Sequence, residues 1–343
     1  MLRAIDLFSG CGGLSLGLRR AGFLVAAAVE LDPRAQETYR LNHPSVRLYG
    51  DDIRRLDPRV VLRDLSLKPG ELDLLAGCPP CQGFSRLRTK NKRNSVCDAR
   101  NDLIEDFLLY VAIMKPRSVM LENVPSLAKD ARFLRMCADM HALGYNTVAD
   151  IVDAADYGVA QRRKRLIVLA SNVHIPRLAS RSSPRVTVRE ALAGLAGSRA
   201  AVDKLHSMKE HRSPKVRRLI EMIPKDGGSR KDLGPQYQLR CHKRTNGFKD
   251  VYGRMAWDTV APTITSGCHN PSKGRFLHPS KNRAITLREA ALLQGFPRGY
   301  RFNVDHGKES IALMIGNALP PPLIAAHARL LGEDLAKAAS AGA

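Results

Sequence analysis

Short apolar runs alternate with amphipathic stretches over residues 1–172, and that alternation predicts a parallel sheet flanked by helices. Seven runs read as strands, over residues 4–8, 25–30, 46–49, 72–76, 118–121, 147–152 and 166–170. Between them, apolar residues three to four apart predict helices over 14–21, 34–41, 103–114 and 132–143. From 174 to 284 the pattern dissolves into Pro, Gly, Ser and basic residues with few periodic runs. Periodicity returns at 287–293, 311–315 and 323–335. The expected division is therefore an α/β domain over 1–173, completed by 287–343, and a smaller irregular domain over 174–286. The Ala-rich tail from Ala336 is expected to fray.

The 343 residues, 44% of them hydrophobic, suffice for such a pair of domains with a proper core. Seven cysteines, spread without paired spacing, point to free thiols in a reducing compartment. The first residues run directly into a strand pattern, which leaves no room for a signal peptide, and no apolar run approaches the roughly 20 residues of a membrane span. A cytoplasmic protein is expected.

Charge changes this picture. The net charge is +22, and residues 174–286 hold 23 Lys and Arg against 8 Asp and Glu, a net +15 in one third of the chain. Solvated faces usually interleave both signs, so the irregular domain reads as a polyanion-binding surface. A second basic cluster, Arg86, Arg88, Lys90, Lys92, Arg93 and Arg100, follows the fourth strand. The basic residues follow no amphipathic stripe, which disfavours a membrane surface.

Candidate chemistry gathers where strands end, the edge at which open α/β sheets bind ligands. The first strand runs into Phe8-Ser9-Gly10-Cys11-Gly12-Gly13, a loop whose glycines let backbone N–H groups approach a ligand. Glu30 ends the second strand about 20 residues on, where a carboxylate can accept both hydroxyls of a ribose. Ser15 stands at the third glycine position of the dinucleotide fingerprint, so the ligand is adenosine-like rather than a typical dinucleotide, and a merely tight turn is the alternative. The fourth strand leads into Gly77-Cys78-Pro79-Pro80-Cys81-Gln82-Gly83-Phe84-Ser85. Its prolines impose an extended chain that holds Cys81 beyond the strand as a nucleophile. A redox or zinc Cys-x-x-Cys pair is the other reading, but no second Cys or His pair sits at ligand spacing nearby, and no metal is expected. Glu122 and Asn123 end the fifth strand, where an acid can protonate a substrate, and Gln161, Arg163 and Arg165 precede the last strand, where they can clamp an anion or a carbonyl.

In this order the segments resemble the DNA (cytosine-5) methyltransferase family, of restriction-modification or orphan type. Phe8–Gly13 resembles its cofactor loop, Pro80-Cys81-Gln82 its catalytic tripeptide, Glu122-Asn123-Val124 and Gln161-x-Arg163-x-Arg165 two further motifs, and residues 288–297 and 316–321 its last two. The resemblance implies a Rossmann-like S-adenosylmethionine-dependent methyltransferase fold with a target-recognition domain over 174–286. It also implies the mechanism. Cys81 adds to carbon 6 of a flipped-out cytosine, Glu122 protonates or hydrogen-bonds ring nitrogen 3, Arg165 supported by Arg163 holds the carbonyl, and Asn123 positions the Glu122 region. The implied S-adenosylmethionine pocket is Phe8, Gly10, Cys11, Gly12, Gly13, Glu30, Leu31, Asp52, Ile53, Pro80, Leu103 and Asn317. Double-stranded DNA is the implied partner, met by Gln82, Ser85, Arg86, Arg88, Lys90 and Lys92 near the catalytic cysteine and by Arg240, Arg244, Arg254 and Thr263 in the basic domain. A restriction endonuclease acting separately, a monomeric state and a place on the bacterial nucleoid complete the expectation. The alternatives are a tRNA cytosine-5 methyltransferase and a catalytically inert DNA-binding relative.

Overall fold

The computed structural model describes residues 1–80, 103–181, 184–195, 202–237 and 250–341. Among these, seven strands form one sheet: β1 (Arg3–Leu7), β2 (Leu24–Val29), β3 (Arg47–Tyr49), β4 (Leu74–Gly77), β5 (Ser118–Asn123), β6 (Asn146–Asp153) and β7 (Lys164–Ser171). Their spatial order is β3-β2-β1-β4-β5-β7-β6. The first five pair in parallel, but β7 runs antiparallel to both β5 and β6, which corrects the expectation of a wholly parallel sheet. The reason is the connection. Between β6 and β7 lies only a 3-10 turn at Ala154–Tyr157 and a short loop, with no helix to carry the chain back for a parallel crossover.

Helices α1 (Gly13–Arg20), α2 (Pro33–Asn42), α3 (Pro58–Asp64), α4 (Leu103–Met114) and α5 (Ala131–Ala142) flank the sheet. Three of them start where an aspartate accepts the free N–H two residues on: Asp32 from Arg34, Asp57 from Arg59 and Asp130 from Arg132. The first two also carry proline at the opening helical position, where its missing N–H costs nothing. The periodicity reading missed α3, a helix of seven residues, although Asp57-Pro58 was its signal.

Contacts divide the chain into two compact units, 1–154 with 164–181 and 319–343, and 155–163 with 182–318. The core of the first is the buried apolar face of β1, β4 and β5 with α4 and α5, including Ile5, Leu7, Leu75, Phe107, Tyr110, Val119, Leu121 and Met140. Each such fully buried side chain stabilises the fold by about 1.5–3 kcal/mol. The C-terminal helix Pro321–Ala341 packs on α1 at Gly17, where a Cβ would fall 2.5 Å from Cβ of Ile324. The stretch Val304–Ser340 is by length and composition apolar enough to span a membrane, contrary to the sequence expectation, but it is broken at residues 318–320 and 72% of its most apolar window is buried inside the protein.

The second unit holds short helices and isolated bridges around a small core of Ile220, Ile223 and Leu277. It includes the helices Leu287–Leu293 and Gly307–Asn317, which the sequence reading had assigned to the completed first domain.

Candidate active site

Sheet register sets the geometry. Leu7 of β1 pairs with Val29 of β2 and with Gly77 of β4, and Gly77 pairs with Leu121 of β5. One residue beyond these pairs stand Phe8, Glu30, Cys78 and Glu122, so four separate sequence signals gather along one edge of the sheet. Strand order reverses between β1 and β4, the position at which α/β sheets open a crevice.

On the β1 side, Phe8, Gly10 and Gly12 all adopt positive φ, of 62°, 56° and 93°. Phe8 holds this conformation despite its Cβ, which marks a strained turn. Glu30 fastens the loop. One carboxylate oxygen accepts the Gly10 N–H at 2.7 Å and the other the Asp32 N–H at 2.7 Å. Burial raises the Glu30 carboxyl above its usual range, while these backbone donors oppose the shift. A Cβ built on Gly10 would meet nothing within 4 Å, so the space over the loop is open. No side chain caps α1 at Gly12, and Leu31 presents an apolar side chain, 58% exposed, next to Glu30. Open space over the loop, an anchored carboxylate and an exposed apolar contact suit an adenosine-type ligand.

Other pocket candidates fit unevenly. Ile53 and Leu103 are buried and Pro80 is half-buried. Asp52 is bound by the Arg54 guanidinium at 2.5–3.1 Å, which lowers its carboxyl to about 2. Cys11 is buried, and desolvation pushes its thiol up to about 12, so it is packing rather than a nucleophile. Asn317 is exposed at the end of its helix in the second unit.

Beneath the loop is a polar network that the sequence reading missed. The Ser15 hydroxyl donates to Asp6 Oδ2 at 2.6 Å and stands 2.7 Å from the Tyr39 hydroxyl, all within the core. This explains the serine at the third glycine position: its side chain satisfies a buried carboxylate. Asp6 Oδ1 has no hydrogen-bond partner among the described residues. His43 Nδ1 lies 3.4 Å from Arg19 Nη1, a donor, which leaves Nε2–H to donate to the Gly12 carbonyl at 3.2 Å. Burial lowers His43 to about 4, so the ring is neutral at pH 7.

On the β5 side, Glu122 is 1% exposed. Arg165 Nε is 2.8 Å from Glu122 Oε1, and the Cys78 thiol donates to Oε2 at 3.0 Å. The arginine is close but off the line of a hydrogen bond, so Oε1 accepts none from the described residues. Asn123 donates from Nδ2 to the Pro79 carbonyl at 3.0 Å and accepts the Val124 N–H at 2.8 Å, which fixes the proline segment ahead of Cys81. Cys81 itself lies outside the described residues, as do Gln82, Ser85, Arg86, Arg88, Lys90, Lys92, Arg240 and Arg244.

In the second unit the remaining candidates hydrogen-bond to main chain. Arg163, 3% exposed, donates to the carbonyls of Ile264 at 3.0 Å and Gly316 at 2.9 Å, so its guanidinium braces main chain. Gln161 accepts the Ile264 N–H at 2.9 Å and donates to the Leu293 carbonyl at 3.1 Å. Thr263 donates to the Arg162 carbonyl at 2.6 Å. Arg254 overturns its reading as a base contact. It is fully buried and donates to the carbonyls of Ile220, Ile223, His278 and Lys281 and to Asn282 Oδ1. A guanidinium with no exposed surface cannot reach a base edge.

The C-5 cytosine-specific DNA methylase family model matches residues 2–333. The type II methylase M.HgiDII of Herpetosiphon aurantiacus is 35% identical over 93% of this chain and 92% of its own length. The type II methyltransferase M1.HphI of Haemophilus parahaemolyticus is 30% identical over 95% and 86%. Among solved structures, a prophage-encoded DNA modification methyltransferase of E. coli superposes with a TM-score of 0.76, at 25% identity and 98% and 100% coverage. The S. pombe Dnmt2 methyltransferase shares the fold, with a TM-score of 0.60 at 18% identity over 97% and 99%.

Proposed function

The chain belongs to the C-5 cytosine-specific DNA methylase family, and on that premise we propose how its residues divide the work. The protein is a DNA (cytosine-5-)-methyltransferase that uses S-adenosylmethionine. When bound, S-adenosylmethionine supplies an electrophilic methyl group. The residues that would hold it are the Phe8–Gly13 loop, Glu30 against the ribose, and Leu31, Ile53, Pro80 and Leu103. The observation supporting this assignment is the open space over Gly10 beside the fixed Glu30 carboxylate. Because Arg54 occupies Asp52, that residue serves the pocket less directly.

Carbon 5 of cytosine is a poor nucleophile until the ring loses its aromaticity. In the proposed reaction Cys81 bonds to carbon 6, Glu122 delivers a proton or hydrogen bond to ring nitrogen 3, and Arg165 holds the carbonyl oxygen as charge develops. After carbon 5 is methylated and loses its proton, the carbon–sulfur bond breaks and frees Cys81. The observation that carries this reading is the buried Glu122, with Arg165 at 2.8 Å, one residue past the paired ends of β4 and β5. Asn123 fixes the proline segment leading to Cys81. Arg163 contributes by holding main chain rather than by touching the base.

The basic second unit is the proposed target-recognition domain, and the cluster from Arg86 to Lys92 is the proposed phosphate-contacting segment. Phosphate contacts there offset the few kcal/mol that flipping a base costs. Recognition of one short double-stranded sequence and a separate cognate endonuclease are further parts of the proposal, supported by the type II names of two relatives; a monomeric state and nucleoid association complete it. Bisulfite sequencing of a random-sequence plasmid incubated with the protein and S-adenosylmethionine tests it, beside a Cys81→Ala control. Protection of cytosines in one recurring context by the wild type alone is expected. Protection by Cys81→Ala would overturn the covalent route.

A further inference from the structure

We propose that Cys78 is a positioning residue for Glu122, a role that rests on Glu122 being the acid that meets the cytosine ring. The thiol donates to Glu122 Oε2 at 3.0 Å. The Cys78 backbone is itself held, because its N–H donates to the Leu7 carbonyl at 3.3 Å and so extends the β1–β4 ladder by one residue. The donor is thus delivered by the sheet rather than by a loose loop.

The two carboxylate oxygens are treated differently. Oε2 has the thiol. Oε1 is buried, stands 2.8 Å from Arg165 Nε, and accepts no hydrogen bond from any described residue. A buried acceptor left without a donor is unfavourable unless a partner arrives. The thiol therefore selects the working oxygen: it pins Oε2 toward β4 and leaves Oε1 to the incoming base. Arg165 supplies charge to the same group, but its misaligned approach cannot fix the carboxylate plane. A second, directional contact does so, and Cys78 supplies it.

An isosteric pair isolates the donor. Cys78→Thr keeps an O–H and Cys78→Val replaces it with a methyl group of the same shape, with Cys78→Ser and Cys78→Ala as a smaller pair should either branched variant unfold. Turnover is read as transfer of tritiated methyl groups from S-adenosylmethionine to unmethylated genomic DNA, with thermal unfolding followed in parallel. Cys78→Val and Cys78→Ala should lose roughly three- to tenfold in kcat, the worth of one hydrogen bond from a weak thiol donor, and Cys78→Thr and Cys78→Ser should recover it. KM for S-adenosylmethionine should stay within about twofold, because the thiol acts on the acid and not on the cofactor loop. Equal kcat in Cys78→Val and Cys78→Thr would overturn the proposal, as would a loss carried by KM alone. Glu122→Gln run alongside separates the two readings. If it is inactive while Cys78→Val is unimpaired, only the positioning role falls, whereas full activity in Glu122→Gln removes both.

Discussion

Asp6→Asn tests the electrostatics beneath the cofactor loop. The Asp6 carboxyl is wholly buried, and desolvation pushes it from 3.8 to about 7, with the Ser15 hydrogen bond opposing and the Glu30 charge adding. One oxygen has a donor and the other has none among the described residues, which is why burial wins. A carboxyl raised in the folded state favours folding in its protonated form. That contribution is fully present below about 3.8 and is lost as pH rises through about 7. A shift of three units corresponds to about 4 kcal/mol, of which about 3 kcal/mol falls between pH 5 and 8.5. Asparagine cannot ionise, so Asp6→Asn should gain on the wild type by that amount over this range. Its amide also needs a partner at the vacant Oδ1 position, and leaving it unmade costs about 1–3 kcal/mol at every pH. The absolute difference between the two proteins therefore depends on the amide, whereas the slope with pH depends only on the carboxylate. Urea unfolding at constant ionic strength from pH 5 to 8.5 measures the slope. A difference constant within about 0.5 kcal/mol would refute the reasoning, since it would mean that Asp6 is not charged at a desolvation cost near neutral pH.

Other substitutions probe the rest of the framework. Glu30→Gln replaces one acceptor of the Gly10 and Asp32 amides with a donor, and loses about 1.5–3 kcal/mol of charge-assisted bonding. Calorimetry should show S-adenosylmethionine binding weakened by about tenfold or more, and unchanged affinity would place Glu30 outside the pocket. Arg254→Ala removes five hydrogen bonds, to four carbonyls and an amide oxygen, and should destabilise the second unit by roughly 3–5 kcal/mol in thermal or urea unfolding. A folded Arg254→Ala variant with altered sequence preference would restore the base-contact reading. Gly316→Ala would place Cβ 2.2 Å from the Ser266 nitrogen. Such overpacking against main chain should cost roughly 1–3 kcal/mol, seen as a lower melting temperature, and a silent substitution would show that the 265–266 segment yields freely.

Much of the architecture was legible because it is written locally. Strands appear as short apolar runs and helices as apolar residues three to four apart, and every expected element of the first 172 residues formed within one or two residues of its predicted ends. The motifs could be placed at strand ends for the same reason, and their order carried the family resemblance. The antiparallel β6–β7 pairing was hidden because periodicity carries no direction. Only the absence of a helix in the connection hinted at it. Helix α3 was missed because seven residues hold barely two turns of periodicity.

The chemistry of individual side chains was less legible. Arg254 and Arg163 look in sequence like any basic residues of a DNA-binding surface, yet both guanidiniums are spent on buried carbonyls. Asp6 and Ser15 lie nine positions apart on a strand and a helix, and Cys78 and Glu122 lie 44 apart, one just past β4 and the other on β5. By itself the chain determined which residue types stand at the ends of its strands, since that follows from local periodicity and turn chemistry. Only the tertiary structure decided which of them face one another, because strand register and burial depend on the packing of the whole sheet, and a hydrogen bond exists only where that packing brings donor and acceptor within about 3 Å.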